Sequence, residues 1–338
     1  MTDKIIFVTA VGGDVACSVL RCLVDMKDGS RIIGCDINCF AQGKMYVDEF
    51  VVAQGYADVN AYKNFIVNTC LKYKVTHFLP IAEIEIRIAA EMKDFFEENQ
   101  IALLINNDKI LQIASNKYLT VQFCEEIGVA APKTIRLSKI ENKSKVIESI
   151  KQMSFPLILK KEFGCGAKGL KELENEEEVL KLIEQRDIHN GWLLQQKIGS
   201  AEEEYTMGIF SDGNQTESIV FKRKLGFGSM SIRVETVIDE KCGKMAKKIA
   251  KALKLKGSIN VQMRKENDDY YIFEINPRLS SSCAFRHLNG FKDAVWWIKL
   301  MSGELESFEF EPKEGTVGIK VLNELLFVDE KPVARFSY

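Results

Sequence analysis

The strongest constraint on this chain is a rhythm in its first third, where short apolar runs alternate with stretches of helical length. Ile5–Thr9 forms a buried-strand pattern and runs into a Gly12–Gly13 turn. A helix fits Val15–Met26, and Arg31–Cys35 and Glu49–Ala53 are further short strands. A helix fits Ala61–Lys72, Thr76–Ile81 is strand-like, Ile84–Asn99 is helical, and Ile101–Ile105 is again strand-like. Strands spaced by amphipathic helices predict βαβ units and a parallel sheet, because parallel neighbours need a long crossover. The fold class is α/β at the start and α+β afterwards.

The pattern changes after residue 106. Asn106–Gly128 predicts two helices, and Pro132 breaks the chain. A helix near Lys143–Met153 and the strand Pro156–Lys161 follow. Glu172–Glu184 predicts a solvated acidic helix. From Trp192 strands dominate, interrupted by a helix at about Lys241–Leu253. With 338 residues the chain is long enough for more than one domain.

Charge and composition exclude several classes. A net charge of -2 gives no basic footprint, so neither nucleic acid nor an anionic membrane is an expected partner. No apolar run reaches the roughly 18 residues of a spanning helix. The opening residues lead straight into a strand without a leader pattern, which makes the cytoplasm the expected location. The nine cysteines lie scattered without a C-x-x-C pair and are expected to be reduced. The three histidines, His77, His189 and His287, are far apart in sequence, so zinc and histidine-led catalysis are poorly supplied.

Three constellations carry chemistry. The Gly12–Gly13 turn suits a phosphate cradle or a plain βα turn, although Asp14 would repel a pyrophosphate. Gly164–Gly169, containing Gly166, follows Lys160 and Lys161; it suits a triphosphate loop or a bare glycine hairpin. The third is the most specific. Glu274 and Asn276 are two apart on a strand and share a face, and Gln262 lies on the preceding strand. One carboxylate and two amide oxygens suit Mg²⁺, and Arg278 follows as a bidentate phosphate ligand. The plainer alternative is a hairpin with an ordinary polar face.

At these residues the chain resembles the ATP-grasp superfamily, closest to its carbamoyl-phosphate-synthetase-like branch, which includes amino-acid ligases. Ser115-Asn116-Lys117 looks like the start of the grasp domain, and Gly128–Thr134 like the opening of its lid. Phe155–Lys160 resembles the phosphate-lysine strand, and Gly164–Gly169 the phosphate loop. Leu193–Gly199 is similar to the adenine hinge, with Gln196 where many members have Glu. Glu204 resembles the ribose carboxylate, and Lys222 and Arg223 the basic pair beyond it. Pro80–Glu85 looks like part of the pre-grasp domain. Lys161 replaces a frequent proline. Ser281 stands where carbamoyl phosphate synthetases carry a second arginine, which counts against carboxyphosphate chemistry.

The resemblance implies a Rossmann-like parallel-sheet pre-ATP-grasp domain over 1–106 and an ATP-grasp fold over 107–312. The mobile lid would span about 130–195, with a C-terminal segment over 313–338. It implies an ATP-dependent ligase that activates a carboxylate as an acyl phosphate for attack by an amine. Lys117, Lys160, Gly164, Gly166 and Gly169 would hold the nucleotide phosphates. Gln196, Lys197 and Ile198 would meet adenine, and Glu204 the ribose. Gln262, Glu274 and Asn276 would hold Mg²⁺ or Mn²⁺. Arg278 and Lys160 would steady the transferring group, and Arg233 and Arg286 would bind the acceptor carboxylate. The implied partners are a small carboxylate and a small amine, with a homodimer as a common assembly of the family. Three alternatives stand beside this reading: a non-catalytic nucleotide sensor or scaffold, a kinase-like phosphoryl transfer, and an NAD-linked oxidoreductase using the first glycine turn.

Overall fold

The computed structural model describes residues 4–137, 143–164, 169–184, 191–226, 228, 230–321 and 324–335. The first unit runs β1 (Ile5–Val8), α1 (Asp14–Val24), β2 (Arg31–Asp36), β3 (Glu49–Val52), α2 (Val59–Tyr73), β4 (His77–Leu79), α3 (Glu83–Ala90), α4 (Lys93–Glu98) and β5 (Ala102–Leu103). Its strands form one parallel sheet in the order β3-β2-β1-β4-β5. The central strand β1 is apolar because helices cover both of its faces. The single helix expected over Ile84–Asn99 is two helices, α3 and α4. Met92, at the break, and Phe96 both turn into the core beneath the sheet.

Glu85, in the first turn of α3, is buried and accepts from four donors. These are Thr9 Oγ1 at 2.5 Å, Tyr56 OH at 2.9 Å, Tyr62 OH at 2.8 Å and the Ala82 amide at 2.8 Å. Burial, with this carboxylate beside them, pushes both phenols up. The network locks α3 to the C-terminal ends of β1 and β4.

Helices α5 (Asp108–Ser115) and α6 (Lys117–Glu126) follow, capped by Asn107 and Asn116. The next unit comprises β6 (Thr134–Arg136), α7 (Lys143–Ile150), β7 (Leu157–Lys161), β8 (Lys171–Leu173), α8 (Glu176–Ile183) and β9 (Trp192–Gln196). Its antiparallel sheet has the order β6-β9-β7-β8 and a core of its own, including Leu157, Leu159, Val179, Leu182 and Leu194. The stretch expected as one acidic helix begins as strand β8. The Asn175 side chain, accepting from the Glu178 amide at 3.0 Å, sets the later helix start.

The remaining elements are β10 (Glu204–Ser211), β11 (Thr216–Leu225), β12 (Ser231–Val237), α9 (Glu240–Leu253), β13 (Gly257–Glu266), β14 (Asp269–Asn276), α10 (Cys283–Leu288), α11 (Asp293–Met301), β15 (Val317–Ile319), β16 (Leu325–Val328) and β17 (Lys331–Arg335). Six of these strands form an antiparallel sheet, β14-β13-β10-β11-β12-β15. One face is apolar: Met207, Ile209, Val261 and Met263 pack on Phe123 of α6 and on Ile249 and Leu253 of α9. On the other face Phe210, Phe221 and Val234 join Val19 and Leu20 of α1 and Trp297 of α11 in one core. That core is continuous from the parallel sheet into the antiparallel one. Asn106 pins the crossing, its Nδ2 donating to Ser258 O and Pro277 O, each at 2.9 Å.

The same interior holds a buried ion pair. Arg286 Nη2 lies 3.1 Å from Asp293 Oδ2, both residues are fully buried, and Ser258 Oγ donates to the same carboxylate oxygen at 2.7 Å. Gly208 makes the room, since a Cβ there would stand 2.3 Å from Arg286 Nη1. Removing one partner of such a pair strands a charge in the interior. Asp293→Asn is expected to cost about 3–5 kcal/mol, read from a urea titration. A loss of about 0–1 kcal/mol, the size of a surface pair, would overturn this placement.

Candidate active site

The polar face of the six-stranded sheet organises the site. Directly opposed residues of an antiparallel ladder share a face. Glu274 lies opposite Gln262, Gln262 opposite Thr206, and Asn276 opposite Asn260. The ladder therefore brings Gln262, Glu274 and Asn276 to one side, away from the helices that cover Met207 and Val261. Asn276 is 5% exposed, and its Nδ2 has no partner among the described residues. Hard oxygen donors in a row beside an unsatisfied amide fit Mg²⁺, which takes few protein ligands and completes its shell from phosphates and water.

Two lysines from different units meet this row. Lys117 is the first residue of α6. Its ammonium lies 3.9 Å from Glu274 Oε1 and donates to the Gly164 carbonyl. Lys160, near the end of β7, donates to Gln195 Oε1 at 2.7 Å. Burial is the largest influence on Lys160, with the Lys117 ammonium acting in the same direction and Glu274 opposing. Together they pull it down to about 7. Gly164 and Gly169 have φ of +105° and +79°, the left-handed region glycine adopts without strain. Gly166 lies outside the described residues.

Gln195 was not singled out from the sequence. It is buried, accepts from Lys160, and donates through Nε2 to Thr134 Oγ1 at 2.8 Å. Gln196, its neighbour, lies opposite Leu157, so alternation turns its side chain to the face of Leu157 and Leu159, away from Lys160. The Lys197 amide donates to Pro156 O at 3.2 Å, and Arg264 Nη1 reaches Ile198 O at 3.5 Å. Glu204 shares the face of the oxygen row but is not a free carboxylate. Arg223 Nη2 holds one oxygen at 2.7 Å and Arg264 Nη2 the other at 3.2 Å.

Two expected acceptor residues are corrected. Arg286 is fully buried inside the fold against Asp293, not exposed at a cleft. Arg233 lies on β12, where Thr236, opposite Phe221, continues the face of the oxygen row. Three residues away, Arg233 points to the other face, where Glu235 holds it at 3.0 Å. Arg278 does stand at the junction of the sheets. Its Nη2 is 4.0 Å from Glu83 of α3, and its Nε is buried without a partner among the described residues. Glu83 is the missed member of this pair, since the contact spans the parallel and antiparallel units.

The first glycine turn is closed to phosphate. Asp36 Oδ2 accepts the Gly12 amide at 2.7 Å, and its other oxygen accepts the Asn38 amide at 2.9 Å. The amide that would face a dinucleotide pyrophosphate already carries a carboxylate, which removes the basis of the NAD reading.

Comparison with known proteins follows the same lines. Residues 191–325 match a family model described as ATP-grasp in the biosynthetic pathway with Ter operon. The large chain of carbamoyl phosphate synthase from Methanothrix thermoacetophila is 25% identical over 217 residues, 59% of this chain and 20% of that one. The C-terminal section of the Aquifex aeolicus enzyme is 22% identical over 201 residues, 56% of this chain and 37% of that one. The chain thus spans well under half of the curated relatives it matches. Among solved structures, the biotin carboxylase domain of Hydrogenobacter thermophilus 2-oxoglutarate carboxylase, a complex with MgADP and bicarbonate, aligns with a TM-score of 0.72. It covers 93% of this chain and 73% of that one at 17% identity. An L-amino acid ligase from Bacillus licheniformis aligns at 0.66, covering 92% and 78% at 14% identity. No helix among the described residues is long and apolar enough to cross a membrane. The ordered motifs and the sheet that carries them are thus similar to those of ATP-grasp proteins, with residues 191–325 carrying the family match and carbamoyl phosphate synthase large chains among the relatives.

Proposed function

We propose that the protein is an ATP- and Mg²⁺-dependent ligase that activates a small carboxylate as an acyl phosphate and joins it to an amine, releasing ADP and phosphate. The observation that carries this reading is the convergence of Lys117 and Lys160 on the oxygen row of Gln262, Glu274 and Asn276. The central obstacle in such chemistry is repulsion between a carboxylate and the γ-phosphate. Fixed cations lower it by neutralising charge that is already in place.

Each residue then has a task. Lys117 and Lys160 neutralise the phosphates from two sides. Gln262, Glu274 and Asn276 would hold Mg²⁺, which would supply charge neutralisation for the nucleotide phosphates. Arg278 offers its unpartnered Nε to the anionic acceptor, while Glu83 keeps the guanidinium aimed across the junction. The hinge around Lys197 and Ile198 takes the adenine edge through backbone groups, and Glu204 takes the ribose once Arg264 yields one oxygen. The acid and amine belong to the class of small metabolites. The L-amino acid ligase likeness supports an amino acid as one of them.

Glu274→Gln keeps the size of the side chain and removes the one carboxylate of the oxygen row. It is expected to lower the rate of ADP release by at least about 100-fold, the scale of a lost charge-stabilising group, with the melting temperature retained. The assay is ADP release with Mg-ATP across pooled carboxylates and amines. Unchanged turnover would overturn the metal assignment. ADP formed with an acid pool and an amine pool together supports the ligase. ADP formed with a non-carboxylate acceptor alone would replace it with kinase-type transfer.

The depressed Lys160 makes a second prediction. At pH 8, one unit above its value of about 7, its amine is mostly neutral in the empty site. Bound phosphates favour the ammonium, so nucleotide binding draws a proton from solution. Calorimetric titration of Mg-ADP at pH 8 in buffers of different ionisation enthalpy is expected to show uptake approaching one proton. Lys160→Met is expected to abolish it. Equal enthalpies in all buffers for the unaltered protein would contradict the assignment of Lys160.

A further inference from the structure

Glu162 is a fully buried carboxylate two residues beyond Lys160, with no assigned task so far. Two side chains from two other elements converge on its carboxylate. Asn116, the cap of α6, donates Nδ2 to Oε1 at 2.6 Å. Arg136, at the end of β6, donates Nε to Oε2 at 2.8 Å and places Nη2 2.8 Å from Oε1, a two-point grip. The backbone repeats the link: the Glu162 carbonyl accepts the Lys117 amide at 3.0 Å, and Asn116 bridges Phe163. Arg136 and Glu162 lie in the lid unit, whereas Asn116 and Lys117 begin a helix packed on the six-stranded sheet. The cluster is the seam between the two units at the end where both lysines stand.

Two lysine side chains held at one place repel each other whenever both are charged, so only a fixed backbone keeps them together. We propose that Glu162, gripped by Arg136 and Asn116, is the positioning residue that sets the spacing of Lys117 and Lys160 and so tunes this site for nucleotide phosphates rather than for the nucleoside. The inference rests on the ligase reading only in taking the site as one for nucleotide phosphates. Glu162 touches no substrate. It acts through the start of α6 on one side and the end of β7 on the other, as an outer partner orients a primary ligand.

The test compares Mg-ADP with adenosine, which shares the base and ribose but has no phosphate. Affinities are measured by calorimetry on the full chain, for the unaltered protein, Glu162→Gln and Arg136→Lys. Glu162→Gln keeps the shape and removes the charge that Arg136 grips. It is expected to weaken Mg-ADP by at least about tenfold, the order seen for outer-sphere partners, with adenosine affinity unchanged. Arg136→Lys, which cannot make the two-point grip, is expected to fall between. Adenosine binding serves as the measure of an intact fold. An unchanged ADP-to-adenosine ratio in both variants would overturn the proposal, and so would an equal loss for both ligands, which marks general damage. Failure of the unaltered protein to prefer Mg-ADP over adenosine would overturn the nucleotide-site reading itself.

Discussion

A strand can line up polar ligands on one side only if the residues between them are buried on the other. The six-stranded sheet meets that condition. Tyr205, Met207 and Ile209 alternate with Glu204, Thr206 and Gly208, and Val261 and Met263 alternate with Gln262. The apolar set fixes the register, because a slip of one residue would turn every oxygen donor into the core. Helices α6 and α9 thus do more than cover a face. They hold the oxygen row in register, and α6 also starts with Lys117. The oxygen row, the placement of Lys117 and the packing of the sheet rest on one constraint.

Much of this was legible in the sequence because it is local. The alternation of apolar runs and helical stretches gives the parallel sheet, and the Glu274-Asn276 spacing gives a shared face from the period of a strand alone. The two misplaced arginines show where that logic stops. Arg286 resembles a surface basic residue until Asp293 and the missing Cβ of Gly208 are seen beneath it. Its signal was Gly208, a glycine inside an otherwise continuous strand pattern, which marks close approach by another group. Arg233 was misjudged because its face depends on the register with β11, which no local pattern fixes. Glu162, Gln195 and Glu83 were missed for the same reason, since each is defined by a partner far along the chain.

The charges of the molecule divide by depth. Those deep inside are held by several donors, as with Glu85, Glu162 and Asp293. Lys160 differs: it is buried beside another ammonium and bonded to a neutral amide. A buried cation short of counter-charge is a candidate anion site, because an incoming anion supplies what the protein withholds.

The separate core of the β6–β9 unit bears on how it is joined to the rest of the chain. Leu157, Leu159, Leu173, Val179 and Leu194 pack with one another and with α7 and α8, not with the six-stranded sheet. The parallel and antiparallel sheets, by contrast, share one apolar interior. The apolar clusters of the β6–β9 unit and of the two sheets are separate, and the contacts that tie the unit to the start of α6 through Asn116 and Glu162 are polar. Between the parallel and six-stranded sheets the described residues show no such division, because their apolar side chains meet in one cluster.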